Sequence, residues 1–162
     1  MDNKTRILFV CLGNICRSAA AEAVMKSLVA AHGASDRYII DSAGIINFHA
    51  GEPADPRMRA AAKERGYEVT SISRPVLFGD FDVFDIIVGM DDDNVESLLD
   101  KALTDEHRAK IHQMTEFAVS MNDRYVPDPY YGGSAGFTHV MDLLEDTCEG
   151  LFQYLENSVC HR

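Results

Sequence analysis

The sequence predicts an α/β fold, a three-layer doubly wound four-stranded parallel sheet with helices on both faces. Apolar runs of strand length alternate with amphipathic helical stretches along its 162 residues. Alternation of this kind implies parallel strands joined by right-handed crossovers. The first run, residues 6–12 (RILFVCL), is apolar almost throughout, as a strand buried on both faces must be. An Ala-rich helical stretch follows it after a short loop.

Each element has its own signal. Residues 18–31 (SAAAEAVMKSLVAA) favour helix, and Gly33 ends it. Residues 38–43 (YIIDSA) read as the second strand. A helix is expected over 55–65, with Asp55 as cap, Pro56 in its first turn and Gly66 as its stop. Residues 84–90 (FDIIVGM) read as the third strand, before an acidic helix start at 91–93. Residues 110–114 supply a short fourth strand, and 137–155 a long amphipathic helix. No repeat, low-complexity tract or linker interrupts the chain, so residues 1–162 are expected to form one domain.

Composition excludes several classes. A hydrophobic fraction of 46% supports a globular core. No run approaches the roughly 20 residues of a membrane span, and no signal peptide is recognised, so the cytoplasm is the expected compartment. The cysteines, Cys11, Cys16, Cys148 and Cys160, are then expected as reduced thiols. They lack the paired spacing of a zinc site, and the histidines show no ligand spacing. A net charge of −11 argues against nucleic acid or an anionic membrane as partner. It also requires any anion site to be a local pocket of backbone amides and a few arginines.

In parallel sheets ligands bind beyond the carboxyl ends of the strands. The segment there after the first strand is Cys11-Leu12-Gly13-Asn14-Ile15-Cys16-Arg17-Ser18. Gly13 and Asn14 tolerate left-handed backbone angles, so the loop can aim successive amides into one anion nest. The helix that follows adds its N-terminal dipole. Cys11 then faces a helix N-terminus, which favours the nucleophilic thiolate. Arg17 follows after five intervening residues and can grip two phosphate oxygens. Ser18 can donate to the thiolate as it departs.

Attack by a thiolate expels an oxyanion that needs a proton. Asp128, between Pro127 and Pro129, is the candidate acid, held on a stiff loop. Tyr130 and Tyr131 are candidates for a pocket wall. The acidic run at 91–93 reads as a helix cap favoured by the dipole.

These segments together resemble the low-molecular-weight protein tyrosine phosphatase family. The Cys-x5-Arg-Ser loop near the start and Asp128-Pro129-Tyr130-Tyr131 near the end stand in the family's order. Asp41-Ser42-Ala43-Gly44, Asp55-Pro56-Arg57 and Met90-Asp91 also match. The resemblance implies a phosphotyrosine protein phosphatase with no metal or organic cofactor. Cys11 would form a phosphocysteine and Arg17 would bind phosphate. Asp128 would protonate the leaving group and then activate water. Leu12, Gly13, Asn14, Ile15, Cys16, Ser18, Phe48, Tyr130 and Tyr131 would surround the substrate. Asn14 would hold the loop, with Ser42 bonded to it. Cys16 would resemble the family's second cysteine, able to form a disulfide with Cys11 on oxidation. Some members carry a His where Ser71 stands. The implied partners are phosphotyrosyl proteins, with inorganic phosphate or another oxyanion in the site, and the chain is expected to be a monomer.

Ile15 favours phosphotyrosine over phosphoarginine, because the arginine phosphatases of this fold tend to have Thr there. A thioredoxin-coupled arsenate reductase would need mid-chain cysteines, and none lies between Cys16 and Cys148. From another class, a silent phosphoprotein-binding module would not need Cys11, Arg17 and Asp128 together.

Overall fold

The computed structural model describes residues 3–130 and 132–159. Four parallel strands form one sheet in the order β2-β1-β3-β4. They are β1 Thr5–Cys11, β2 Tyr38–Gly44, β3 Ile86–Gly89 and β4 Ile111–Gln113. The main helices are α1 Arg17–Ala31, α2 Pro56–Lys63, α3 Asp80–Val83, α4 Asp92–Lys101, α5 Asp105–Ala109 and α6 Ser134–Val159. No helix among the described residues is long and apolar enough to cross a membrane.

β1 explains the layering. Ile7, Phe9 and Cys11 point into one core, with α1, α2 and α6, while Leu8 and Val10 point into the other, with Phe81 of α3 and Leu98 of α4. Successive residues of a strand alternate between faces, so a continuous apolar run fills two cores at once. Ile7, Leu8, Phe9 and Val10 are all fully buried, each contributing about 1.5–3 kcal/mol by area.

The helix ends follow local chemistry. Gly33 takes φ of 65° after α1, and the Ala34 amide returns to Val29 O at 2.8 Å, satisfying a terminal carbonyl. Asp55 caps α2 by accepting from the Arg57 amide at 2.8 Å, with Pro56 at the first helical position. Most boundaries shift by one or two residues: α2 is shorter at its end and β3 starts two residues late. The largest differences are at α6, which starts three residues before 137 and ends four after 155. Gly136 in that first turn has low helix propensity, which hid it. α3 and α5 are too short to show a period.

From β1 the chain moves outward to β2, then returns across the sheet to β3 on the opposite side. The loops after β1 and β3 therefore part company at the carboxyl edge. That switch point opens a crevice.

Candidate active site

Residues 11–18 occupy the crevice. Cys11 Sγ lies 3.0 Å from Ser18 Oγ, and the Ser18 amide donates to it at 3.4 Å. Asn14 Nδ2 donates to Ser18 Oγ at 2.8 Å. With that lone pair engaged, the hydroxyl proton is left for Sγ, the other acceptor in reach being Ala43 O at 3.5 Å.

Asn14 holds φ of 58°. Left-handed backbone costs an L-residue roughly 1–2 kcal/mol. Its side chain offsets this with the Ser18 bond and by accepting from the Arg74 amide at 3.0 Å. A Cβ on Gly13 would lie 3.0 Å from His49 Cδ2, so a side chain there would have to push the His49 ring aside. The Gly13 carbonyl accepts from Ser73 Oγ at 2.9 Å. The amides of residues 13–16 make no backbone hydrogen bond among the described residues, so they remain donors for an anion.

Arg17 opens α1 and is 2% exposed. Nη1 donates to Asp91 Oδ2 at 2.6 Å and to Val126 O at 2.9 Å, and Nη2 lies 3.6 Å from Asp128 Oδ2. Burial works against its charge, but Cys11, Asp91 and Asp128 outweigh burial and its pKa moves up. Asp91 has two tasks. One oxygen clamps Arg17, and the other caps α4 by accepting from the Asn94 amide at 2.8 Å. The acidic run is thus the expected cap, and it is also the anchor of the arginine.

Asp128 lines the same cleft of about 150 Å³ as Cys11 and Arg17. Its Oδ1 accepts from the Tyr130 amide at 3.0 Å. Arg57 fixes this loop from α2: it pairs with Asp55 at 2.9 Å, donates to Tyr130 O at 3.0 Å and stands 5.4 Å from the Tyr130 ring centroid. No local pattern in the sequence points to that role for Arg57. Of the expected binding residues, Leu12, Gly13, Cys16, Phe48 and Tyr130 line the cleft, joined by Ile46 and His49. Asn14, Ile15 and Ser18 are buried behind it, and Tyr131 lies outside the described residues.

Cys16 is nearly buried. Burial first, then the Asp55 carboxylate, pushes its thiol above the ordinary range, so near neutral pH it stays protonated. Cys11, Cys16 and Cys148 are free thiols.

One expected contact is corrected. Ser42 Oγ donates to Glu22 Oε1 at 2.6 Å rather than to Asn14. The reason is that α1 brings Glu22, buried and paired with Lys26 Nζ at 2.6 Å, against β2. A buried carboxylate draws a hydroxyl donor strongly. Ser71 Oγ is buried with no hydrogen-bond partner among the described residues, and its neighbours Ser73 and Arg74 tie the loop instead. Glu22, Ser73 and Arg74 carry no local signal; Asp91 does, because it follows a buried strand at the switch point.

The chain is similar to known proteins in sequence and in fold. The family model for low molecular weight phosphotyrosine protein phosphatase matches residues 6–160. A crystal structure of a protein tyrosine phosphatase from Entamoeba histolytica, with Hepes in the active site, superposes with a TM-score of 0.94 at 51% identity. That alignment covers 96% of this chain and 99% of the other. A low molecular weight protein-tyrosine-phosphatase of Streptomyces coelicolor is 36% identical over 156 residues, 95% of each chain. Another from Bacillus subtilis is 35% identical over 151 residues, 93% of this chain and 95% of its own. The chain belongs to the low molecular weight phosphotyrosine protein phosphatase family.

Proposed function

We propose that this protein hydrolyses phosphotyrosine in proteins through a phosphocysteine intermediate, and that residues 1–162 act as one phosphatase domain. The observation that carries this reading is Cys11 Sγ held 3.0 Å from Ser18 Oγ, in a cleft shared with Arg17 and Asp128. The amides of the loop and the Arg17 guanidinium bind the phosphoryl oxygens. The Cys11 thiolate attacks phosphorus, an S–P bond forms and the P–O bond to tyrosine breaks. Asp128 gives its proton to the departing phenolate. The resulting Asp128 carboxylate then takes a proton from water, whose oxygen attacks phosphorus. The S–P bond breaks, phosphate leaves and the thiolate returns, steadied by the Ser18 hydroxyl. The Entamoeba relative supports oxyanion capture, since Hepes carries a tetrahedral sulfonate.

Cys11, Arg17, Ser18 and Asp128 meet within one chain, so the proposed chemistry needs no residue from a second copy, in keeping with action as a monomer. Free thiols support a reducing compartment, the cytoplasm.

The test compares hydrolysis of phosphotyrosyl and phosphoarginyl peptides under reducing conditions. Phosphotyrosyl peptides are expected to turn over, and Cys11→Ser is expected to bind them without turnover. Preference for phosphoarginine would overturn the substrate class, and no turnover of either would overturn the enzyme.

A further inference from the structure

The mouth of the cleft is apolar, and the chemistry of that rim names a substrate class. We propose that it selects phosphotyrosyl segments whose side chains next to the phosphorylated residue are apolar rather than acidic. This rests on the phosphatase reading above.

Leu12, Ile46 and Phe48 are 43%, 39% and 84% exposed, yet all three line the cleft. Scattered exposed apolar residues mean little, but several converging on one opening mark a contact surface. Two loops bring them together, tied where the Ile46 amide donates to Leu12 O at 3.0 Å. Phe48 meets the edge of the His49 ring, centroid to centroid 5.7 Å. A peptide delivering phosphate to Cys11 must cross this rim, so its flanking side chains are what cover it.

Charge excludes the alternative. The basic side chains near the rim already have carboxylate partners: His49 Nδ1 lies 2.6 Å from Glu52 Oε2, and Arg57 pairs with Asp55 at 2.9 Å. Arg17 is buried and committed to the phosphoryl group. An acidic flank would meet Asp128 and the Glu52 carboxylate beside His49 on a chain of net charge −11, and among the described residues lining the cleft the only basic side chains are Arg17 and His49. Apolar flanks instead remove Phe48, Leu12 and Ile46 from water.

The experiment uses matched phosphotyrosyl peptides that differ only in the flanking residues: Leu/Ile, Ser or Asp/Glu. Turnover is read as kcat/KM with the wild-type chain, and binding by fluorescence anisotropy with Cys11→Ser. Apolar flanks are expected to exceed acidic flanks by about tenfold or more in both, the effect of burying roughly one apolar side chain. Phe48→Ser should shrink that ratio severalfold, whatever it does to absolute rates. Equal values, or a preference for acidic flanks, would overturn the proposal. Apolar preference in binding without any turnover would overturn the phosphatase reading and leave the rim proposal standing.

Discussion

Asp91 Oδ2 accepts from Arg17 Nη1 at 2.6 Å, joining the loop after β1 to the loop after β3 across the sheet's switch point. Arg17 is buried, so its direction is set by this carboxylate and by Val126 O. Removing one partner of a buried pair leaves a charge uncompensated, at about 3–5 kcal/mol. Asp91 is partly exposed, which reduces that figure. Asp91→Asn should lower Tm by several degrees and reduce kcat on para-nitrophenyl phosphate by about tenfold to a hundredfold. Wild-type kinetics in this variant would show that Arg17 is positioned by other contacts.

Asn14 tests whether the loop is held by backbone conformation or by side-chain bonds. Asn14→Ala keeps a left-handed residue and loses both bonds, so stability should fall by about 2–3 kcal/mol in denaturant unfolding. Asn14→Gly removes the conformational strain and should recover about 1 kcal/mol of it. Neither should restore turnover, because the Ser18 hydroxyl loses its donor. Full activity in the Gly variant would assign Asn14 to backbone geometry alone.

That bond also shows what a sequence carries. The buried run of β1, the glycine-ended helix and the Cys-x5-Arg-Ser loop are local patterns, so fold class and the core of the site were legible. The Ser42 partner was not legible, because Glu22 reaches β2 only once α1 has packed on it. Asp91 looked like a helix cap alone, since its bond to Arg17 spans 74 positions of chain. Ties from Ser73 and Arg74 to the loop were invisible for the same reason: no period or motif encodes a contact between distant loops.

The thiols should separate on chemical modification. Burial and Asp55 hold Cys16 above the usual thiol range, and burial does the same for Cys148. Iodoacetamide near neutral pH should therefore label Cys11 first, with loss of activity and protection by inorganic phosphate, as read by peptide mass spectrometry. Equal labelling of Cys16 would contradict the buried, protonated thiol described above.

Acid should loosen the loop of Asp128 through Asp55. The bond from the Arg57 side chain holds the Asp55 carboxyl below its ordinary value. A carboxylate depressed on folding contributes stability that is present above its unfolded value, about 3.9. That stability is lost as pH falls through the lower, folded value. Tm should thus drop between about pH 5 and pH 2, and Asp55→Asn should be less stable at pH 6 with a shallower drop. An unchanged slope would remove Asp55 from the acid response.

The proposed function requires Cys11 to become phosphorylated during turnover. Rapid acid quench of the wild-type protein with a radiolabelled phosphotyrosyl peptide measures it directly. Label is expected on the peptide containing Cys11, absent in Cys11→Ser, and released as inorganic phosphate on a longer time course. Turnover with no protein-bound label, or with label on another residue, would contradict a phosphocysteine intermediate at Cys11.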